Sequence, residues 1–253
     1  MKIIYNQKFA DSSYSDDNAA LPGRMEAAMS GLGPTGWEIL SPIPATRAEL
    51  LLAHDGDYVE RASRDGKRFA MASLAAGGAL LAARLAMAGE GAFACVRPPG
   101  HHASRAEGWG YCVFNNVAIA LLALRARGEI ASALVIDIDQ HTGDGTRNIL
   151  APWAEAEVFN PFAEEAGQYL ELLDARLSSV KRADVVAVSA GFDAYSLDVG
   201  RKLGTADFER IGALTRDAAA RLCGGRRFAV LEGGYYLPDL GANVLAFCRG
   251  FAR

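Results

Sequence analysis

Seven short, continuously apolar runs, each separated from the next by helical or loop-like sequence, constrain this chain more than any other feature. They occupy residues 2–6, 38–41, 92–96, 131–136, 157–159, 184–189 and 228–231. Unbroken apolar character, as opposed to strict in–out alternation, fits parallel strands covered on both faces. Parallel neighbours need crossover connections, and the helical patterns supply them. The expected fold is therefore α/β: a three-layer sandwich with a mostly parallel central sheet and helices on both faces. At 253 residues the chain suffices for one such domain over 1–253, with no repeat or long linker to divide it.

The helices have readable boundaries. Thr46 and Glu49 form a Thr-x-x-Glu capping box that opens a helix over 47–53. Asn115-Asn116 precedes an apolar helix over 117–124, Thr205 caps an amphipathic run to 222, and 167–180 has a helical pattern. Pro238 suits the first turn of a final helix. The most apolar stretch, 69–83, is rich in Ala and Gly and is broken by Arg84. It reads as too short to span a bilayer and better packed within the protein.

Bulk properties narrow the function classes. A net charge of -4 gives no reason to expect a nucleic-acid or membrane partner. Cys95, Cys112, Cys223 and Cys248 form no Cys-x-x-Cys pair, which argues against a thiolate metal site and fits reduced thiols in a cytoplasmic protein. The strand-like 2–5 segment has no long apolar run, so no signal peptide is expected. A homo-oligomer is compatible with all of this.

Three of the four histidines fall in two motifs, Arg97-Pro-Pro-Gly-His101-His102 and Asp137-Ile-Asp139-Gln-His141-Thr-Gly-Asp144-Gly. Each motif follows an apolar run, as do Ser189-Ala-Gly-Phe-Asp193 and Leu231-Glu-Gly-Gly-Tyr235. In an open parallel sheet the ligand crevice lies beyond the carboxyl ends of the strands, so four strand ends deliver polar groups to one place. Asp139, His141 and Asp193 form a natural ligand set for a catalytic divalent metal: two carboxylates neutralise a dication, and the imidazole suits zinc, with ferrous iron as the alternative. Asp137 and Asp144 are placed to orient His101 and His102. One of these histidines can then move a proton to or from a metal-activated water. Gly233-Gly234 leaves Tyr235 free to donate to a developing oxyanion. His54 lies in a helix-to-helix turn and reads as structural.

Together with Gly110-Tyr-Cys-Val-Phe-Asn115-Asn116, these motifs resemble, in order and approximate spacing, the zinc-dependent histone deacetylases and their bacterial relatives. Those relatives include acetylpolyamine amidohydrolases and acetoin-utilisation proteins. The resemblance runs from about Pro42 to the carboxyl terminus. It implies the arginase/deacetylase-like fold and hydrolysis of an N-acetyl or N-acyl amide of a lysine or small amine. By position, Asp139, His141 and Asp193 match the metal ligands, and His101 and His102 the tandem histidines, with His102 the general base and acid. Asp137 and Asp144 match the carboxylate partners, and Tyr235 the carbonyl-polarising tyrosine. Tyr111, with Gly110 beside it, takes the place of one aromatic wall of the substrate tunnel. Backbone groups around Asp137, Asp139 and His141 correspond to a structural potassium site.

The chain departs from the family pattern in three places. Thr142 stands where the family usually has a second histidine, a position that is not a ligand. The segment 147–183 lacks the family's long insertion and with it the second aromatic wall and part of the cation site; Phe159 and Phe162 are candidates to replace that wall. The amino-terminal region lacks an acidic, histidine-rich entrance segment. The shortened middle leaves a second reading open, a non-catalytic metal-binding protein. A binuclear ureohydrolase of the same fold is a third, for which Gln140 and Thr142 leave the ligand supply short.

Overall fold

All seven apolar runs are strands in the computed structural model, which describes residues 1–252, Pro34 through its backbone alone. The strands are β1 (Lys2–Ile4), β2 (Glu38–Leu40), β3 (Ala92–Ala94), β4 (Ala133–Asp137), β5 (Ala156–Phe159), β6 (Val186–Ala190) and β7 (Arg227–Leu231). Every pairing is parallel, in the order β2-β1-β3-β7-β6-β4-β5. Around the sheet lie α1 (Arg24–Ser30), α2 (Arg47–Leu50), α3 (Gly56–Ser63), α4 (Gly66–Met87), α5 (Asn116–Ala126), α6 (Asp144–Leu150), α7 (Ala166–Ser179), α8 (Thr205–Cys223) and α9 (Leu237–Ala252).

Phe93 in β3 turns its ring to Phe247 of α9, 6.2 Å between centroids. Alternation along the strand therefore sends Ala92 and Ala94 to the opposite face, where α4 packs. Their small side chains suit a close approach. At Gly78 of α4 a β-carbon would lie only 2.6 Å from Val96 Cγ1, so that helix rests directly on the end of β3.

Several boundaries differ from expectation. β4 and β6 begin two residues later than 131 and 184, because the Asp184 carboxylate accepts the amides of Ala131 and Ser132, both at 2.8 Å. That clamp turns the chain before pairing starts. α8 is capped at Gly204, not by Thr205: Asp207 Oδ2 accepts the Gly204 amide at 2.7 Å, while Thr205 donates to Asn243. The capping box at Thr46 and Glu49 is present, yet α2 stops at Leu50. The apolar stretch 69–83 extends to the 22 residues of α4, long and apolar enough by length and composition to cross a membrane. In the fold 72% of its most apolar window is buried, against β1, β3, β7 and α5. A helix covered on all sides is expected to be apolar all round.

The topology positions the site. β3 and β4 are consecutive in sequence but lie on either side of the β7–β6 pair. The four strands that carry the motifs are therefore neighbours, and their carboxyl ends open at the point where the chain switches direction across the sheet.

Candidate active site

At the ends of β4 and β6, Asp139, His141 and Asp193 bring ligand atoms to within 4.8 Å of one another. Backbone amides aim the carboxylates: Asp139 Oδ1 accepts from His141 N and Oδ2 from Gly233 N, each at 2.9 Å, and Asp193 Oδ1 accepts from Gln140 N at 2.9 Å. His141 Nδ1 then faces two carboxylate oxygens, Asp139 Oδ1 at 3.1 Å and Asp193 Oδ2 at 3.0 Å, the latter with no hydrogen-bond donor of its own. A single N–H can point to only one of them, whereas a divalent cation would satisfy the carboxylates and the ring lone pair together. The adjoining Asp139 and Asp193 carboxylates push the imidazole up to about 10. Burial and the Asp139 charge lift Asp193 to about 6. The donor set thus fits a zinc or ferrous ion.

The tandem histidines leave β3 on the loop that ends at α5, and their two carboxylate partners divide between them. His101 Nδ1 lies 3.0 Å from Asp137 Oδ2, and His102 Nδ1 lies 2.7 Å from Asp144 Oδ1. Burial works against a charge on His101, but Asp139 and Asp137 outweigh it and hold its pKa well above the ordinary value. For His102, burial and the neighbouring His101 win over the pull of Asp144, and the pKa falls. The two shifts run in opposite directions although the ring centroids are only 4.0 Å apart. Hydrogen bonds from His102 and Trp109 outweigh burial and keep Asp144 below the usual carboxylate range, so His102 donates its Nδ1–H and turns Nε2 to the pocket as a base.

Trp109 was not singled out by sequence reasoning, although it directly precedes Gly110-Tyr111. Its ring lies against His102 at 3.8 Å between centroids, and its Nε1–H donates to Asp144 Oδ2 at 3.0 Å. Gly110 lets the chain pass this close: φ is +55°, and a β-carbon there would sit 2.5 Å from His102 Cδ2. Across the pocket, Tyr111 and Tyr235 meet edge to face at 6.0 Å. Burial raises the Tyr235 phenol well above its ordinary range, so it remains an O–H donor.

Two more residues escaped the sequence reading. Arg24 of α1 is buried beneath Tyr235, its guanidinium 5.2 Å from the ring, and donates to the carbonyls of Gly234 and Glu232 at 2.9 and 2.6 Å. Glu232 accepts the amides of Gly100 and His101 at 2.6 and 3.1 Å, fastening the β3 loop to the β7 loop, and burial lifts it to about 7. Only long-range pairing brings these groups into reach. His54 is structural as expected: Nδ1 lies 2.8 Å from the Ser104 carbonyl, and Nε2 accepts the Asn115 amide at 2.9 Å.

All of this surrounds a pocket of about 330 Å³ whose lining includes His101, His102, Trp109, Gly110, Tyr111, Asp139, His141 and Tyr235. Asn18 and Val199 close its rim, Asn18 donating to the Tyr111 hydroxyl at 3.3 Å. Neither Phe159 nor Phe162 lines it; Phe162 is 78% exposed, with Lys202 5.8 Å from its ring. The additional aromatic side chain at the pocket is Trp109. At the expected potassium position, the Asp137 carbonyl accepts from Asn160 Nδ2 at 3.1 Å.

Residues 20–169 match the family described as the histone deacetylase domain. A probable deacetylase of Methanothermobacter thermautotrophicus is 32% identical over 99% of this chain and 90% of its own length. The chain belongs to the histone deacetylase domain family. The histone deacetylase-like amidohydrolase of Pseudomonas aeruginosa is 29% identical over 84% of this chain and 71% of that protein. Rice histone deacetylase 10, chloroplastic, is 31% identical over 63% of this chain, a match spanning 44% of that longer protein. The solved HDA15 HD domain superposes with a TM-score of 0.83 over 98% of this chain and 90% of that one, at 23% identity, and establishes the arginase/deacetylase-like fold. The archaeal alignment runs over 304 positions against the 253 residues here, so that relative carries segments this chain lacks.

Proposed function

We propose that this member of a deacetylase and amidohydrolase family is a metal-dependent amidohydrolase that removes an acyl group from a lysine side chain or a small amine. The observation that carries the reading is the convergence of Asp139 Oδ1 and Asp193 Oδ2 on His141 Nδ1, at 3.1 and 3.0 Å, inside a pocket that also holds His102 and Tyr235. A zinc or ferrous ion held by these three residues would polarise an amide carbonyl and acidify water. His102, neutral and steadied through Nδ1 by Asp144, accepts the proton of the attacking water at Nε2 and returns it to the departing amine. His101, tied through Nδ1 to Asp137 and packed beside His102, supplies the electrostatic neighbour of that base. Tyr235 donates its O–H to the carbonyl oxygen from a rigid, buried mount above Arg24.

The residues give a binuclear ureohydrolase little support. Beyond the first ligand set, His101, Cys112 and Glu232 also approach one another. Burial raises the Cys112 thiol well above its ordinary value, however, and Glu232 Oε2 already accepts the amides of Gly100 and His101, so the trio offers a poorer ligand set than Asp139, His141 and Asp193. Mouse polyamine deacetylase HDAC10, 29% identical over 88% of this chain, makes acetylated polyamines reasonable probes beside acyl-lysines. The buried, unpaired cysteines suit the cytoplasmic setting we infer.

Metal analysis combined with a panel of acylated lysines and polyamines tests the proposal. We expect one divalent metal per chain and turnover that is lost in His102→Ala. Tyr235→Phe should keep its metal and fall by roughly 10²–10³ in turnover, the usual cost of one oxyanion donor. Stoichiometric metal with no turnover on any acylated amine would instead favour the non-catalytic reading, and two metals per chain the ureohydrolase.

A further inference from the structure

The pocket does not end at Tyr235. A second depression of about 640 Å³, lined by Leu197, Asp198, Val199, Arg201, Tyr235 and Tyr236, shares Val199 and Tyr235 with it. The two adjoin at these residues, beside the loop between β6 and α8 that carries Val199 and Arg201. Two lining side chains are charged, and their situations differ. Asp198 is spent on the fold: Oδ2 accepts the amides of Tyr235 and Tyr236 at 2.6 and 2.8 Å, and Oδ1 that of Val199 at 2.7 Å. Arg201 is exposed, and among the described residues its guanidinium has no hydrogen-bond or ion-pair partner.

Arg201 also sits where an arginine is costly. Its φ is +48°, the left-handed region that glycine adopts freely and other residues seldom do. Tyr111, at +71°, is the one other non-glycine among the described residues with positive φ, and it lines the catalytic pocket. Such outliers persist where surrounding structure over-determines them, and they gather at ligand sites. Here the surrounding structure is specific. The Gly200 amide donates to the carbonyl of Asp193 at 2.7 Å and the Lys202 amide to that of Ala194 at 3.1 Å. The turn is pinned on both sides to the segment that carries the ligand Asp193, which fixes the base of Arg201 relative to the reaction centre.

We propose that Arg201 is an anion-recognising subsite, and that the preferred substrate is an acylated amine bearing a carboxylate on its carrier side. An acylated amino acid or a chain-terminal acyl-lysine meets that description. A guanidinium fork matches a carboxylate geometrically, whereas the extra ammonium groups of a polyamine would meet Arg201 as like charges. The proposal rests on the amidohydrolase reading and narrows it.

The test compares three probes with the same acetylated five-carbon chain: Nα-benzoyl-Nε-acetyllysine, its carboxamide, and N-acetylcadaverine. Both kcat/KM and calorimetric Kd are measured at low salt on the metal-loaded protein. We expect the carboxylate to be favoured over the carboxamide by about fivefold, the scale of one partly exposed ion pair. That ratio should fall to near one in Arg201→Gln and reverse in Arg201→Glu. Arg201→Gly, which removes the charge while relaxing the backbone, should also abolish the preference and melt no lower than the parent. A preference unchanged in Arg201→Gln and Arg201→Gly, or a parent protein that favours the carboxamide or the cadaverine, overturns the subsite. If no probe turns over but the Kd preference is present and depends on Arg201, the amidohydrolase reading fails while the subsite stands. Turnover without an Arg201-dependent preference has the opposite meaning.

Discussion

Trp109 is held by two contacts that serve the same couple. Its ring covers His102 and its Nε1–H occupies the second oxygen of Asp144, so neither partner of the hydrogen bond at 2.7 Å can rotate freely. A residue that acts through a base in this way should alter the chemical step more than binding. Trp109→Phe keeps the stack and loses the donor. We expect kcat to fall about tenfold, the lower end for a group that supports a functional side chain from behind, with KM little changed. Steady-state kinetics on the substrate found active in the panel decide it. A rise in KM at constant kcat would show that Trp109 only contacts substrate. The sequence reading missed Trp109 because a single aromatic beside a glycine has no spacing to mark it. The Asp-x-His pair was legible because two ligands two apart on an extended segment face the same way.

Elements meet at the site through capping and loop contacts as much as through strands. Asn115 caps α5 by accepting the Ala118 amide at 3.0 Å, and its Nδ2 donates to the Ala103 carbonyl and to Thr146 Oγ1, both at 3.0 Å. One buried side chain thus joins the start of α5, the residue after His102, and the first turns of α6, whose own first residue is Asp144. Asn115→Ala removes a cap and two buried hydrogen bonds, and should cost about 2–4 kcal/mol by denaturant unfolding. A loss below about 0.5 kcal/mol would mean the junction is held elsewhere. The cap itself was readable from Asn115-Asn116 ahead of an apolar run. The links to Ala103 and Thr146 were not, because they depend on how β3 and β4 are spaced across the sheet.

Stability of the whole molecule should depend on His54. Burial pushes its pKa down from 6.5 to about 4, and Nε2 must stay unprotonated to accept the Asn115 amide. Above pH 6.5 the ring is neutral both folded and unfolded, and its contribution is complete. As the pH falls towards 4, the unfolded chain takes the proton first, and stability declines by about 3 kcal/mol in total. His54→Gln, which can still accept the amide, should flatten the urea midpoint between pH 6.5 and 4. Equal slopes for parent and variant would assign the titration to another group. At this scale the sequence was informative: all seven strands and the convergence of four strand ends could be read from apolar runs followed by polar motifs. The surroundings of the pocket could not. Val199 and Arg201 lie on a turn that the Asp198 side chain ties to the Tyr235 and Tyr236 amides, and Asn18 reaches the pocket through its bond to the Tyr111 hydroxyl.

β5 lies at the margin of the sheet, paired with β4 alone, while the groups proposed to react hang from the four strands inside. Chain added or removed after an outermost strand leaves the pairing of the inner strands undisturbed. The segment around β5 that reads as short can therefore change length with little disturbance of the ligand set, its link to the site being the bond from Asn160 to the Asp137 carbonyl. Length can vary at the border of the sheet, while its centre keeps both the groups proposed to react and the turn that carries Arg201.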